Sequence, residues 1–328
     1  MRIVVTGGMG FIGQNLARYL RQNCPDVHLT SIDWFEGADV AEKAAFDEAY
    51  VSCFSDDRIM DLYRSADILI HLAAYSTVQG SIADPQRCFL NNVVKTNALL
   101  EFLRLNTPDT KVIFASSGGA ILGNQTGAIH ENLPAKPLSP YGASKLAVEG
   151  LLSAYTGSYG MNTASLRFSN VYGPHSLRQD SVITRFCKSY LTDGRLQVFG
   201  DGKQTRDYMY VDDVSEAVLR VIQKDIRGTY QLGTGTATSV LDLVRIFQSL
   251  GKNNSVRIEH YKPLPGEVRH NRADITRMKQ DIGFVPSTTV EQGIHMTLAW
   301  LQDILYPSKP VTGQLAGNVA HTDINSLH

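Results

Sequence analysis

The run Thr6-Gly7-Gly8-Met9-Gly10-Phe11-Ile12-Gly13 limits what this chain can fold into more than any other feature. It follows Ile3-Val4-Val5, a β-branched run suited to a buried parallel strand. It precedes Leu16, Ala17 and Leu20, apolar positions at helical spacing. Strand, glycine turn and helix in that order open a βαβ unit that binds a dinucleotide. Gly7 allows the tight turn, Gly10 lets the backbone approach a pyrophosphate, and Gly13 lets helix and sheet pack closely. The helix N-terminus adds free N–H groups and the positive end of its dipole. Asp33 ends the next predicted strand, Val27 to Asp33, 20 residues after Gly13. A carboxylate there accepts the adenosine ribose hydroxyls and repels an added 2′-phosphate. Trp34 and Phe35 follow it, with no arginine, which selects NAD over NADP.

Strands and helices alternate through the first half of the chain. Ala66 to Ala74, Lys111 to Ser117 and Thr163 to Gly173 read as strands, and Asn92 to Leu105 and Tyr141 to Tyr155 as helices. The segment Trp34 to Ala49 is weakly patterned and reads as loop plus a short helix. The alternation predicts an α/β fold, a Rossmann-type doubly wound parallel sheet covered on both faces. After Pro174 the rhythm changes. Helices are predicted over Val182 to Tyr190, Val211 to Val221, Leu241 to Leu250, Asp274 to Ile282 and Val290 to Ile304. Short strands fall at Leu196 to Phe199, Thr229 to Gly233 and Arg257 to Tyr261. These pieces predict a smaller C-terminal α/β substrate lobe, some of whose elements return to the main sheet. The expected division is 1–173 for the NAD unit and 174–311 mainly for the lobe. The polar tail 312–328 is expected to be flexible.

Composition excludes several classes. Thirty-one Lys plus Arg against 32 Asp plus Glu give a net charge of -1, which argues against a nucleic-acid partner. No window holds the roughly 18 apolar residues that a membrane span needs, and the start does not resemble a secretory leader. Cys24, Cys53, Cys88 and Cys187 are far apart and form no CxxC pair, and the nine histidines form no HExxH. No metal site is expected, and the thiols read as free in a reducing compartment, the cytoplasm.

Tyr141-Gly142-Ala143-Ser144-Lys145 places a phenol and an ammonium four residues apart, on one helix face. A neighbouring cation favours phenolate and is expected to lower the tyrosine pKa. Tyr141 then serves as proton acceptor and donor, and Lys145 as its partner and as a ribose ligand. Lys111 to Ser117 ends in Ser116 and Ser117, at the edge where a parallel sheet presents its site.

With these motifs on the page, the chain closely resembles the extended short-chain dehydrogenase/reductase family, in its sugar-nucleotide epimerase/dehydratase group. The resemblance covers roughly residues 1 to 300. It rests on TGGMGFIG, HLAA at His71 to Ala74, Ser81, Pro85, Asn92, YGASK, LRFSNVYGP, GDGKQTRDYMYVDD, PGEVR and IGFVPST. It implies Tyr141 as catalytic base, Lys145 as its partner and Ser117 as the hydroxyl beside the reacting oxygen. It adds Phe11, Ile12, Leu72, Ala73, Asn92 and Phe168 to the cofactor-binding set of Gly7, Gly10, Gly13, Asp33, Tyr141 and Lys145. Asn170 is expected to contact the sugar diphosphate, and Arg206 and Arg269 to clamp it, as bidentate guanidinium groups do. Asp207 is expected to fix the loop around Arg206.

Some positions depart from the family pattern. Counting from the strand puts the family hydroxyl at Ser117, whereas counting back from Gly123 puts it at Gly118; the strand count is preferred. Leu122 replaces the usual tyrosine, Cys53 an adenine-contacting aspartate whose contact Asp56 could take over, and Lys95 a helix glycine. The Asp-Glu pair of dehydratases and the glutamate of decarboxylases are absent: Gly118 and Gly119 stand there. No thiol acid serves a 3,5-epimerisation. The resemblance therefore points to NAD-dependent 4-epimerisation of a nucleotide sugar, UDP-glucose/galactose or UDP-N-acetylhexosamine. The alternatives are a reductase of nucleotide 4-keto-6-deoxy sugars and a non-catalytic NAD or sugar-nucleotide binder. A homodimer through the helix near Asn92 and the helix holding Tyr141 is also implied.

Overall fold

The structure, a computed structural model, describes residues 1–34, 45–251, 256–263 and 268–306. The predicted flexible tail, most of the Trp34 to Ala49 segment and part of PGEVR lie outside the described residues. The chain begins with β1 (Arg2–Thr6), α1 (Phe11–Asn23), β2 (His28–Asp33), β3 (Glu48–Val51) and a 3-10 stretch, Asp57–Ser65. Next come β4 (Ile68–His71), α2 (Val78–Ala83), α3 (Pro85–Phe89), one π turn (Leu90–Val94), α4 (Lys95–Asn106), β5 (Lys111–Ser117) and α5 (Gly118–Leu122). The long α6 (Pro140–Tyr159) leads into β6 (Thr163–Phe168) and β7 (Asn170–Tyr172). The remainder holds α7 (Val182–Leu191), β8 (Arg195–Phe199), β9 (Thr205–Arg206), β10 (Tyr208–Tyr210), α8 (Val211–Gln223) and β11 (Gly228–Leu232). It closes with β12 (Thr238–Ser239), α9 (Val240–Ser249), β13 (Arg257–Tyr261), a π turn (Met278–Ile282) and α10 (Val290–Leu305).

Seven strands form the central sheet in the order β11-β6-β5-β4-β1-β2-β3, every pair parallel. The order reverses at β1, where chain from β2 and from β4 leaves in opposite directions. That is the topological switch point at which such sheets bind ligands. Period-two alternation sends Ile3 and Val5 to one face and Val4 to the other. On the first face they meet Leu16 and Leu20 of α1 and Val214 and Val218 of α8. On the second, Val4 joins Leu99 and Leu103 of α4 and Val148 and Leu152 of α6. Burial on both faces is why these strands read as continuous apolar runs. A third cluster packs Phe186 of α7, Val198 of β8, Phe247 of α9 and Ile294 and Leu298 of α10.

Three predicted elements change character, one of them the helix expected over Asp274 to Ile282, which is a π turn at Met278–Ile282. The strand expected over Thr163 to Gly173 breaks at Ser169, whose N–H donates to the Leu232 carbonyl. β7 then leaves the main sheet and pairs with β10. The helix expected over Asn92 to Leu105 begins in a π turn, Leu90–Val94, a local overwidening common near functional sites.

Candidate active site

A cleft of about 1330 Å³ opens along the C-terminal edge of the sheet, from the glycine loop to the third apolar cluster. At one end, α1 starts at Gly10 with no side-chain cap, so its first N–H groups face the cleft. Gly7 has φ +72°, and a Cβ there would stand 2.8 Å from the Ala73 nitrogen. A Cβ on Gly13 would stand 2.5 Å from the Gly8 carbonyl oxygen. Gly10 is different. A Cβ there would meet only the Gly7 oxygen, at 3.1 Å. The protein itself crowds position 10 less than positions 7 and 13, and leaves space on the cleft side. A pyrophosphate on the helix end fits that space, and Gly7, Gly10, Phe11, Ile12 and Gly13 all line it. Asp33 is buried at the tip of β2, with Oδ2 accepting from Met9 N (3.0 Å) and Oδ1 from Trp34 N (2.8 Å). Its carboxylate is thus held by backbone N–H groups at the cleft, at the strand tip where ribose hydroxyls bind in such folds. Leu72, Ala73 and Phe168 line the same cleft.

At the centre, Ser117, Tyr141 and Lys145 meet. Ser139 caps α6 and Pro140 follows at its first position, which fixes where the helix begins and puts Tyr141 in the first turn. Lys145, one turn on, donates from Nζ to the Ala115 carbonyl oxygen (2.7 Å), over the Phe114 ring. Its Nζ lies 5.7 Å from the centre of the Tyr141 ring. The expectation that Lys145 lowers the tyrosine pKa is corrected here. Burial pushes the Tyr141 phenol up to about 12, while the Ser117 hydroxyl facing it pulls the other way. Burial likewise brings Lys145 down to about 7, with Cys88 and Glu149 opposing. Loss of water disfavours the charged form of each group, and at this depth it outweighs the hydrogen bond and charges that oppose it.

The adjacent serines separate. Ser116 Oγ donates to Glu149 Oε1 (2.6 Å), so Ser117 is the hydroxyl that faces the phenol. Asn92 is buried, in the π turn before α4, and does not line the cleft. Its Oδ1 accepts from Tyr75 N (2.7 Å), and its Nδ2 donates to Tyr75 O (3.1 Å) and Ser144 Oγ (2.9 Å). It ties the loop after β4 to α6 rather than facing the cofactor space. Asn170 and Arg206 line the far end of the cleft. Arg269 does not. Its guanidinium makes two bonds to Asp201, at 2.9 and 2.7 Å, and its N–H donates to Asn124 Oδ1. The pair of arginines expected at the diphosphate is therefore not assembled in this structure; Arg178 and Arg185 line the cleft with Arg206 instead. Asp207 is buried, accepting from Thr234 N and Oγ1, Gly235 N and Ala273 N, which bears out a structural part for it.

Sequence reasoning missed Asn271. It is buried, lines the cleft and packs against Gly119, where a Cβ would lie 2.0 Å from its Nδ2. Its Oδ1 has no hydrogen-bond partner among the described residues. Gln231 crowds Gly118 in the same way, 2.3 Å from an added Cβ. Both neighbours are distant in sequence, so only the absent side chains of Gly118 and Gly119 hinted at them. At the variant positions, Cys53 and Lys95 both line the cleft, Cys53 beside Ser55 Oγ (3.4 Å) and Lys95 donating to Asn91 Oδ1 (2.7 Å). Asp56 caps the 3-10 stretch and is bound to Arg58. Among the described residues there is no cluster fit to hold a metal ion, and no helix long and apolar enough to cross a membrane.

A seven-stranded doubly wound sheet with a nucleotide cradle at its switch point defines a dinucleotide-binding protein of the Rossmann class. Residues 3–233 match the NAD dependent epimerase/dehydratase family, and the chain belongs to that family. It is 35% identical over 309 residues to a putative UDP-glucose 4-epimerase of Methanocaldococcus jannaschii, covering 92% of this chain and 98% of that one. Among solved structures it is similar to the UDP-glucose 4-epimerase of Thermotoga maritima with UDP-glucose. The TM-score is 0.85 at 30% identity, covering 93% of this chain and all of that one (100%). It is also similar to the UDP-glucuronic acid 4-epimerase of Bacillus cereus with UDP-glucuronic acid and NAD. That TM-score is 0.83 at 29% identity, again covering 93% and 100%. NAD is the cofactor of the family, and the space beside Gly10 and the Asp33 carboxylate fit it.

Proposed function

We propose that this chain inverts the 4-hydroxyl of a UDP-hexose. The carrying observation is the floor of the cleft after Ser117. Removal of water from a hexose needs an acid and a base on neighbouring carbons. Gly118 and Gly119 offer neither, and Gln231 and Asn271 leave no room for side chains there. What remains is a machine that moves one proton at one oxygen. NAD, held by Gly7, Gly10, Gly13, Asp33 and Lys145, supplies a reversible hydride acceptor for C4. Tyr141 takes the 4-hydroxyl proton and gives it back to the same oxygen once the turned 4-keto sugar has regained the hydride at C4 on its other face. Ser117 donates a hydrogen bond to the reacting oxygen and favours phenolate at Tyr141. Lys145 favours it too, against the cost of burial. Between the two transfers the 4-keto sugar turns, while Asn170 and Arg206, with Arg178 and Arg185, hold the diphosphate. Residues 1–173, with α8 and β11, form the NAD unit, and most of 174–311 the sugar-nucleotide lobe.

The test is incubation of the purified protein with UDP-, dTDP-, GDP- and CDP-sugars and no added cofactor. Appearance of the 4-epimer of a UDP-sugar is the expected result. In a second incubation, with NAD(P)H and a nucleotide 4-keto-6-deoxy sugar, stoichiometric consumption of NAD(P)H would instead identify a 4-keto-reductase; in the first, a product lighter by one water would identify a dehydratase.

The protein is proposed to work as a homodimer in the cytoplasm, a reducing compartment in keeping with its four free thiols. Ile82, Phe89, Leu90 and Val94 are each exposed, on the segments before α4. These apolar side chains support an interface there. Phe89→Asp with Val94→Asp is expected to halve the particle mass in light scattering; an unchanged mass would rule this face out.

A further inference from the structure

We propose that Glu149 is a positioning residue for Ser117, Tyr141 and Lys145, clamped between Ser116 and Arg167. The proposal rests on the catalytic reading above and goes beyond it. Tyr141, Lys145 and Glu149 recur every four residues on α6, so one stripe of that helix faces β5 and β6. Three consecutive residues of β5 meet that stripe. Ala115 O accepts from Lys145 Nζ at 2.7 Å. Ser116 Oγ donates to Glu149 Oε1 at 2.6 Å. The Ser117 hydroxyl faces the Tyr141 phenol. The second strand joins through Arg167, whose Nε donates to Glu149 Oε1 (2.9 Å) and Nη2 to Oε2 (2.7 Å). Ser116, Glu149 and Arg167 are all buried.

A buried ion pair is a poor device for stability alone, since desolvation offsets its attraction and apolar residues fill the space as well. What this one provides is direction. The fork of Arg167 fixes the carboxylate, the carboxylate fixes Ser116, and the strand residue next to Ser116 carries the reacting hydroxyl. Sliding of α6 along β5 would break all of these links together, so the distance from Ser117 to Tyr141 is set from behind the site. The carboxylate also stands one turn from Lys145 and favours its ammonium form. The other titratable groups facing Lys145 are Cys88 from α3, His71 from β4 and Tyr141 from its own helix. Arg167 from β6 faces Glu149 and partly balances its charge.

The experiment compares Ser116→Ala and Glu149→Gln with the parent protein in thermal unfolding, NAD content, KM and the pH profile of kcat. Ser116→Ala keeps the ion pair and is expected to fold normally, retain NAD and leave KM unchanged. Its kcat is expected to fall about tenfold, the scale of a sub-ångström misplacement. Glu149→Gln removes the charge that favours the Lys145 ammonium. The loss of kcat on raising pH should then begin about half a unit lower, because the ammonium is surrendered earlier. If Glu149→Gln does not fold, Ser116→Ala decides alone. A kcat within twofold for Ser116→Ala, or an unshifted profile for folded Glu149→Gln, would overturn the proposal. Tyr141→Phe is run beside them. If that variant keeps full turnover, it is the catalytic reading that fails, not the clamp.

Discussion

Tyr141→Phe is expected to lower kcat by about a thousandfold, within the range that a positioned acid–base group supplies. That loss corresponds to about 4 kcal/mol of transition-state stabilisation. The substitution removes one oxygen from a half-buried ring and leaves the helix, its Ser139 cap and the Lys145 contact with Ala115 in place. NAD content and KM should therefore change little. Thermal stability should hold or rise slightly, because a buried hydroxyl facing only Ser117 has been taken away. A drop confined to kcat marks a group used in the transition state alone. Turnover within tenfold of the parent, measured as epimer formed without added cofactor, would remove Tyr141 from the chemistry. The upward-shifted phenol adds a pH signature. Activity carried by phenolate rises with pH until Lys145, brought by burial to about 7, gives up its proton. Tyr141→Phe should abolish both limbs.

The second large effect separates two glycines that look alike in sequence. Gly10→Ala adds a methyl group whose only close protein neighbour is the Gly7 oxygen, at 3.1 Å. The backbone there is extended, with φ -77° and ψ 171°, so alanine is unstrained. The cofactor-stripped variant should melt within about 2 °C of the parent, because a single oxygen has to give by a few tenths of an ångström. NAD affinity should nevertheless fall about ten- to hundredfold, the cost of 1–3 kcal/mol for forcing atoms into an occupied space. Gly13→Ala faces the Gly8 and Gly7 oxygens at 2.5 and 2.6 Å, both backbone. The loop itself must move, so the stripped protein should lose several degrees as well as its NAD. Comparison must use stripped proteins, since bound cofactor raises the melting temperature by mass action. Equal melting losses for both variants would mean that Gly10 serves the fold and not the ligand.

What was legible in the sequence was local. The glycine loop, Asp33 at a strand tip, the serines ending β5 and the Tyr141–Lys145 spacing each lie within one element and its turn. Pattern alone places such groups at one sheet edge. What was not legible depends on partners far along the chain. Arg269 carries the residue type of a phosphate ligand, yet Asp201, 68 positions away, holds its guanidinium. Asn271 looks like any polar loop residue until Gly119 is found beneath it. The direction of the Tyr141 shift was missed for a related reason. Spacing on a helix reveals that a lysine is near, but not how little water is left around both groups. The break at Ser169 likewise has no local signal, because the carbonyl that its N–H meets belongs to Leu232, far along the chain.

The last strand of the central sheet, β11, is drawn from beyond β7, α7 and β8–β10, and α8 on the way back packs against α1. The chain thus leaves the sheet, builds part of the far wall of the cleft, returns to finish the sheet and leaves again for α9 and α10. The two sides are stitched by several crossings rather than hung on one hinge. A nucleotide unit cut at Gly173 would lack its edge strand and one covering helix, and β6 would present an unpaired edge. The fold therefore does not divide into two modules at Gly173, and the two walls of the cleft depend on each other for their structure.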